Sequence, residues 1–408
     1  MKILLSAYAC EPNKGSEPGV GWLWALALVR CGHEVWVITR HNNQASIEQA
    51  VAKLDEQYIS NLHFLYYDTP NWILRWKKSA LGVQLYYALW QKGILALARD
   101  AHATHHFDVS HHLTFGVWRQ PTELHKLGIP CIFGPVGGGE DAPWQLVHGM
   151  PSFTSIFREY LRYLVNVVSL LNPKLRSCLK ECFLVVSKTQ ETADWVKKAG
   201  VNSLVSLEIG INPDRITSNT LLPIKGKLRC MYAGRLISMK GIHLALEAVA
   251  EARKNGIDAT FTIVGDGPLL GYFKQKVIAL GISDQVLFAG QLNQKALFAK
   301  YCEHDVLVFP SLHDSSGNVV LEAFAHSLPV LCLNLGGPNV LVDDTCGRAI
   351  NVQDLTQQNV VSKLSNAIVE LASSPELIQK MREGAHTRAL AYSWDDAVNR
   401  VYAQVEKC

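Results

Sequence analysis

The chain has no uninterrupted apolar run of roughly 18 residues, the length a helix needs to cross a hydrocarbon core, so no spanning helix is expected. It also lacks any C-x-x-C pair. Its 10 cysteines, Cys10, Cys31, Cys131, Cys178, Cys182, Cys230, Cys302, Cys332, Cys346 and Cys408, are scattered. Neither a disulfide framework nor a cysteine zinc site is expected, and most of these thiols read as reduced core residues of a cytoplasmic protein. An excess of one charge is missing too: 39 Lys and Arg against 36 Asp and Glu leave +3. That is too little for a global attraction to nucleic acid. The G-x-S-x-G elbow of hydrolases is absent, and Gly265-Asp266-Gly267 does not open a G-x-G-x-x-G dinucleotide turn. No His/Cys cluster has metal-ligand spacing, and the adjacent His111 and His112 read as strand-end residues facing a cleft or a core. No metal is expected. The apolar start Ile3-Leu4-Leu5 reaches Glu11-Pro12 too soon for a secretion signal and reads as a first strand.

What is present is a folding chain. Hydrophobic residues make up 48% and charged residues 18% of 408 residues, enough for two or three domains of roughly 100–200 residues each. Residues 2–9 form an apolar run, followed by a glycine-containing turn, a helical pattern over 20–31 and a second apolar run over 34–39, which is a β-α-β unit. Further short runs fall at 62–67, 109–113, 130–136, 183–187 and 204–211. Strands covered on both faces read as unbroken Val/Ile/Leu runs, so these predict a parallel sheet flanked by helices.

A second series lies at 228–233, 260–264, 286–289, 306–309 and 329–333, with helical patterns over 243–254 and 319–326. Between the series, residues 212–227 carry Pro213, Pro223 and Gly226, as a linker would. The expectation is an α/β protein of two Rossmann-like domains facing each other across a cleft, 1–211 and 212–390, with a final helical segment over 391–408. Ligands on such sheets bind beyond the carboxyl ends of the strands.

Two places there carry charge. After the first strand of the second half comes Gly234-Arg235-Leu236, and then Lys240-Gly241 opens a helix. Free N–H groups and the helix dipole favour an anion at such a junction, and two cations could neutralise a diphosphate without a metal. The pair alone also fits two solvated surface cations. The second place is 310–322, with Asp314, Ser315, Gly317, Asn318, Val319 and Glu322. Asp314 and Glu322 could accept hydrogen bonds from hydroxyls of one long ligand. Read alone, they equally fit a helix cap and a helix surface residue.

These residues, with Ile263-Val264-Gly265-Asp266-Gly267-Pro268, Leu321-Glu322-Ala323, the early Gly15-Ser16-Glu17 and Gly32-His33-Glu34-Val35, resemble family 4 of the retaining glycosyltransferases with the GT-B fold. The resemblance covers nearly the whole chain, loosely over 58–180. It implies a hexosyltransferase working in surface polysaccharide or glycan synthesis without a cofactor, from a UDP- or GDP-sugar to a saccharide or lipid-linked saccharide acceptor. It implies that Arg235 and Lys240 bind and stabilise the diphosphate, that Glu322 holds the ribose and Asp314 the donor sugar, and that amides of Gly317, Asn318 and Val319 line the donor site. Ser315 and Gly234 belong to the same donor loops, and Gly15 matches a loop glycine near the phosphates. The family's account is attack on the face from which the leaving group departs, with the leaving phosphate taking the acceptor proton. The last helix is expected to cross back to the first domain.

Two departures stand out. Asp314 replaces the usual Glu and is one methylene shorter. The loop Gly134-Pro135-Val136-Gly137-Gly138-Gly139-Glu140 has no His where many members carry one, which makes Glu140 a candidate on the acceptor side. A different sugar-nucleotide enzyme on the same fold, such as an epimerase or a pyridoxal-dependent phosphorylase, and a non-catalytic sugar-binding protein are the competing readings.

Two aromatic and basic stretches suggest peripheral attachment to an anionic inner membrane face. One spans 71–99, with Arg75, Lys77, Lys78, Lys92 and Arg99 among Trp72, Trp76, Tyr86, Tyr87 and Trp90. The other spans 156–171, with Arg158 and Arg162 among Phe157, Tyr160, Tyr163 and Leu164. The alternative is that the aromatics fill the core while the cations face water.

Overall fold

The computed structural model describes residues 1–74, 80–217 and 226–405. Contacts divide them into two units, the first formed by 1–139, 166–209 and the C-terminal residues from 394, the second by 140–165 and 210–393. Residues 140–165, expected in the first domain, cluster with the second unit. Arg75, Trp76, Lys77, Lys78, Pro223 and Cys408 lie outside the described residues.

The first unit holds seven strands: β1 Lys2–Ser6, β2 Glu34–Thr39, β3 Leu62–Tyr66, β4 Val109–His112, β5 Cys131–Val136, β6 Leu184–Ser187 and β7 Leu204–Val205. They pair in parallel in the order β3-β2-β1-β4-β5-β6-β7. Alternation along β1 sends Ile3 and Leu5 to one face and Leu4 to the other. Trp24 and Leu28 of the helix Ser16–Arg30, with Val398 and Val401 of the helix Trp394–Tyr402, cover the first face. Tyr86, Tyr87, Trp90 and Ile94 of the helix Ala80–His105 cover the second. These three aromatics are therefore core residues rather than a membrane surface, because their helical phase points them at the sheet. The C-terminal helix, expected to continue to 406, is helical as far as Tyr402, and Arg30 Nη2 pairs with its Asp395 at 2.7 Å.

The second unit holds β8 Leu228–Ala233, β9 Ala259–Val264, β10 Val286–Gly290, β11 Val306–Phe309, β12 Val330–Leu333 and β13 Gly347–Ile350. Their order, β10-β9-β8-β11-β12-β13, repeats the plan of the first sheet, again all parallel. At the amino ends of its strands, the fully buried Asp305 accepts from Arg229 Nη2 at 2.7 Å and Arg382 Nη2 at 2.8 Å. This ties β8 and the helix Pro375–Leu390 to the start of β11.

Two expectations shift. The run 204–211 gives only two strand residues, because the chain leaves the sheet after Val205 while Leu207 and Ile209 stay buried and Glu208 O accepts from Trp24 Nε1 at 2.7 Å. β13, Gly-Arg-Ala-Ile, is a half-exposed edge strand with too few apolar residues to be read from the sequence.

His111 and His112 are buried in β4, where His111 meets Tyr402 Oη at 2.9 Å and Gly134 O at 2.7 Å. His243, buried in the helix Ile242–Lys254, has no hydrogen-bond partner for either ring nitrogen among the described residues. Burial holds the three imidazoles down, to about 4, about 3 and about 3 respectively. The unfolded chain protonates them near about 6.5 and so binds more protons below that pH; stability is complete above it and falls as pH drops toward the folded values. The slope is up to about 1.4 kcal/mol per pH unit for each histidine. We expect a lower urea midpoint at pH 5 than at pH 7.5, and a shallower dependence in His243→Leu. Identical pH dependences in variant and parent would contradict this.

Candidate functional site

In the second sheet the strand order reverses between β8 and β11, and the loops after these two strands leave side by side at their carboxyl ends. Ligands of open α/β sheets bind at such a switch point. Gly234, Arg235 and Lys240 lie on the first loop; Asp314, Ser315, Gly317, Asn318, Val319 and Glu322 lie on the second and its helix.

The loops touch. Gly241 has φ +66°, and a Cβ there would stand 1.9 Å from Pro310 O, so only glycine permits this approach. Leu312 N donates to Met239 O at 2.8 Å. Lys240, reached through the short turn Ser238–Lys240, places Nζ 2.5 Å from Asp314 Oδ2, 3.4 Å from His313 O and 5.2 Å from the centre of the Phe309 ring. Asp314 is held from its other oxygen as well: Oδ1 accepts from Gly317 N at 2.7 Å and Ser316 N at 3.2 Å. The sequence left open whether Asp314 is a cap or a ligand group. It is not the helix cap, which is Gly317; its Oδ1 closes a turn over the loop amides that precede the helix, while Oδ2 turns to Lys240.

Gly317, at φ +73°, starts the helix Asn318–Ala325. The amides of exposed Asn318 and half-buried Val319 precede the first intrahelical bond, which Val320 N donates to Gly317 O at 2.9 Å. Half-buried Ser315 sits in the loop between Asp314 and Gly317. Glu322 lies one turn along the helix and accepts from Tyr301 Oη at 3.4 Å. Burial raises its carboxyl above the ordinary range, against the opposing effects of Tyr301 and the Arg215 charge. Arg235 is exposed, and its guanidinium has no ion-pair partner among the described residues.

Gly15 is in the first unit, where it precedes the helix Ser16–Arg30 in extended conformation. Glu140, expected on the acceptor side, is buried in the second unit, with Oε2 3.9 Å from His313 Nε2. On the same ring, Arg162 Nη1 stands 3.0 Å from Nε2, and the Arg162 guanidinium also pairs with buried Glu159. The sequence reading missed this Glu140, His313, Arg162 and Glu159 cluster beside Asp314, and it missed the support of Asp314 O by Gly337 N at 2.8 Å. The Gly336-Gly337 pair after β12 was the available signal for the second. Among the described residues, no group of three His, Cys, Asp or Glu side chains is placed to hold a metal.

Residues 216–388, which contain this whole loop system except Glu140, Glu159 and Arg162, match the family model of the glycosyl transferases group 1. Over 155 residues the chain is 28% identical to an alpha-D-kanosaminyltransferase of Streptomyces kanamyceticus, covering 38% of this chain and 39% of that relative's length. The solved sucrose-phosphate synthase of Thermosynechococcus elongatus aligns over 100% of this chain and 99% of its own, with TM-score 0.62 and 19% identity. Anabaena HepE, solved with UDP, covers 100% of both chains at TM-score 0.62 and 15% identity. The chain thus has the GT-B fold and carries a glycosyl transferases group 1 segment in its second unit.

Gly241→Ala is expected to lower stability by at least about 2 kcal/mol, since it combines a left-handed backbone with a clash against Pro310; a denaturation midpoint equal to the parent's would refute the close approach. Glu322→Gln should raise the melting temperature at pH 7, where the buried carboxylate must be ionised. Because the folded carboxyl is raised, that gain shrinks as pH falls into the ordinary carboxylate range. A difference that grows toward low pH would show the opposite shift.

Proposed function

We propose that this chain is a retaining glycosyltransferase that moves a hexose-type sugar from a nucleotide-diphosphate sugar to a saccharide or lipid-linked saccharide, in surface polysaccharide or glycan synthesis at the cytoplasmic face of a membrane. The observation that carries the reading is the junction of Lys240 and Asp314 across the switch point, with Arg235 on one loop and an open helix terminus on the other.

The demanding step breaks the bond between the anomeric carbon and the diphosphate, and negative charge grows on the leaving oxygens. Arg235 and Lys240 meet that charge, together with the amides of Asn318 and Val319, so the loops supply the positive charge themselves and no metal is required. Lys240 is pre-aimed by Asp314. Asp314, fixed by the Gly317 and Ser316 amides, offers its carboxylate to donor-sugar hydroxyls, and Glu322 with Tyr301 receives the ribose. The acceptor oxygen bonds to the anomeric carbon on the face the diphosphate leaves, and its proton passes to the departing phosphate oxygen. No side chain need act as general base. UDP is the first nucleotide to test, because HepE was solved with it; GDP is the second.

Thermal stabilisation by a panel of UDP-, GDP- and ADP-sugars would identify the donor. With that donor, Arg235→Ala and Lys240→Ala are each expected to lower turnover about 10²–10³-fold at unchanged circular dichroism. Parental rates in both variants, or a product of inverted anomeric configuration, would refute the proposal.

A further inference from the structure

The helix Phe153–Ser169 is inverted relative to a helix covered by its own protein. Its inward stripe is Ser155, Glu159, Arg162, Asn166 and Ser169, spaced four, three, four and three residues apart, all polar and all buried or half-buried. Its outward face carries Phe153 (81% exposed), Phe157 (61%), Leu161 (49%), Leu164 (56%) and Val168 (57%), continued by Leu171 (79%) just beyond its end. The inward charged and amide groups find partners within the protein: Glu159 pairs with Arg162, and Asn166 Oδ1 accepts from Trp118 Nε1 at 3.2 Å. The helix is thus held with its apolar side outward. Among the described residues, most of the exposed large hydrophobic side chains lie on this one segment, which makes it a contiguous patch rather than scattered residues.

Charge says what covers it. From 153 to 180 the only acidic residue is Glu159, which is buried, while Arg158, Lys174, Arg176 and Lys180 are exposed. Half-buried Trp144 stacks on Tyr160 at 4.5 Å, adding an amphipathic aromatic pair to the same face. Aromatic and aliphatic side chains with only basic charge showing are the recognition chemistry for an anionic bilayer surface.

We infer that the outward face of the helix Phe153–Ser169 docks on an anionic lipid bilayer. This rests on the proposed function only for its purpose, the presentation of a lipid-linked acceptor; docking and nucleotide binding are measured separately, so either can fail alone.

The test is co-sedimentation of the full chain with vesicles of phosphatidylglycerol and phosphatidylcholine, or of phosphatidylcholine alone, at about 0.1 M and about 1 M salt. Binding to the anionic vesicles at the lower salt, weakened at the higher and on neutral vesicles, is expected. The triple variant Phe157→Ser, Leu161→Ser, Leu164→Ser should weaken it at least about tenfold while keeping the parental melting temperature and nucleotide stabilisation. Failure to bind at low salt, equal binding to both vesicle types, or a triple variant that binds like the parent would each overturn the inference. So would a parent that sediments as a dimer and a triple variant that sediments as a monomer, since a second copy would then cover the face.

Discussion

Everything at the candidate site depends on how closely the backbone after β8 can approach the backbone after β11. Gly241 lies against Pro310 O where no side chain fits, and that contact sets the separation of the two loops. Only at that separation does Lys240 span to Asp314, and only then does the turn that Asp314 makes over the Ser316 and Gly317 amides become part of a charged junction. Two glycines with positive φ, at 241 and 317, begin the two helices that flank it. The junction thus brings a lysine, an aspartate and a helix amino terminus together at the carboxyl ends of β8 and β11.

The two ends of the second sheet divide the work. At the amino ends, Asp305 is fully buried and satisfied by Arg229 and Arg382, and it faces no solvent that a ligand could come from. Removing one partner of such a group leaves a buried charge exposed to nothing, which is why this arrangement fixes structure. At the carboxyl ends, Lys240 and Asp314 are each nearly a fifth exposed and Arg235 is open to water. Ion pairs at both ends look alike in sequence; burial separates the structural pair from the one that can exchange partners with a ligand.

The central strands of both sheets were readable because runs such as Ile3-Leu4-Leu5 and Val306-Leu307-Val308-Phe309 are apolar on both faces. β13 and most of the 204–211 run were not, since one is a polar edge and the other is buried without being paired. That the loops after β8 and β11 carry charge side by side was legible from Arg235, Lys240, Asp314 and Glu322, all of which follow strands near one switch point. The Glu140, His313 and Arg162 cluster was not: its members come from distant parts of the chain, and no local spacing links Glu140 to a loop after β11. Composition also failed to tell the two aromatic, basic stretches apart. Tyr86, Tyr87 and Trp90 turn toward the first sheet and are buried, whereas Phe157 and Leu164 stay exposed.

That last difference follows from what each helix has on its inner side. The helix Ala80–His105 meets an apolar sheet face, so its aromatics gain most by burial there. The helix Phe153–Ser169 instead brings Glu159 and Arg162 to the ring of His313, one residue before Asp314. Turning its apolar stripe inward would carry Glu159 and Arg162 out to solvent and set Phe157 and Leu164 against the charged loop after β11, leaving Glu140 and His313 to face hydrocarbon. The polar surroundings of His313 therefore fix the rotation of the helix, and the exposed apolar face is the geometric consequence. A chain in water keeps such a face only at a cost to solubility, so the arrangement makes physical sense where something other than water lies against it.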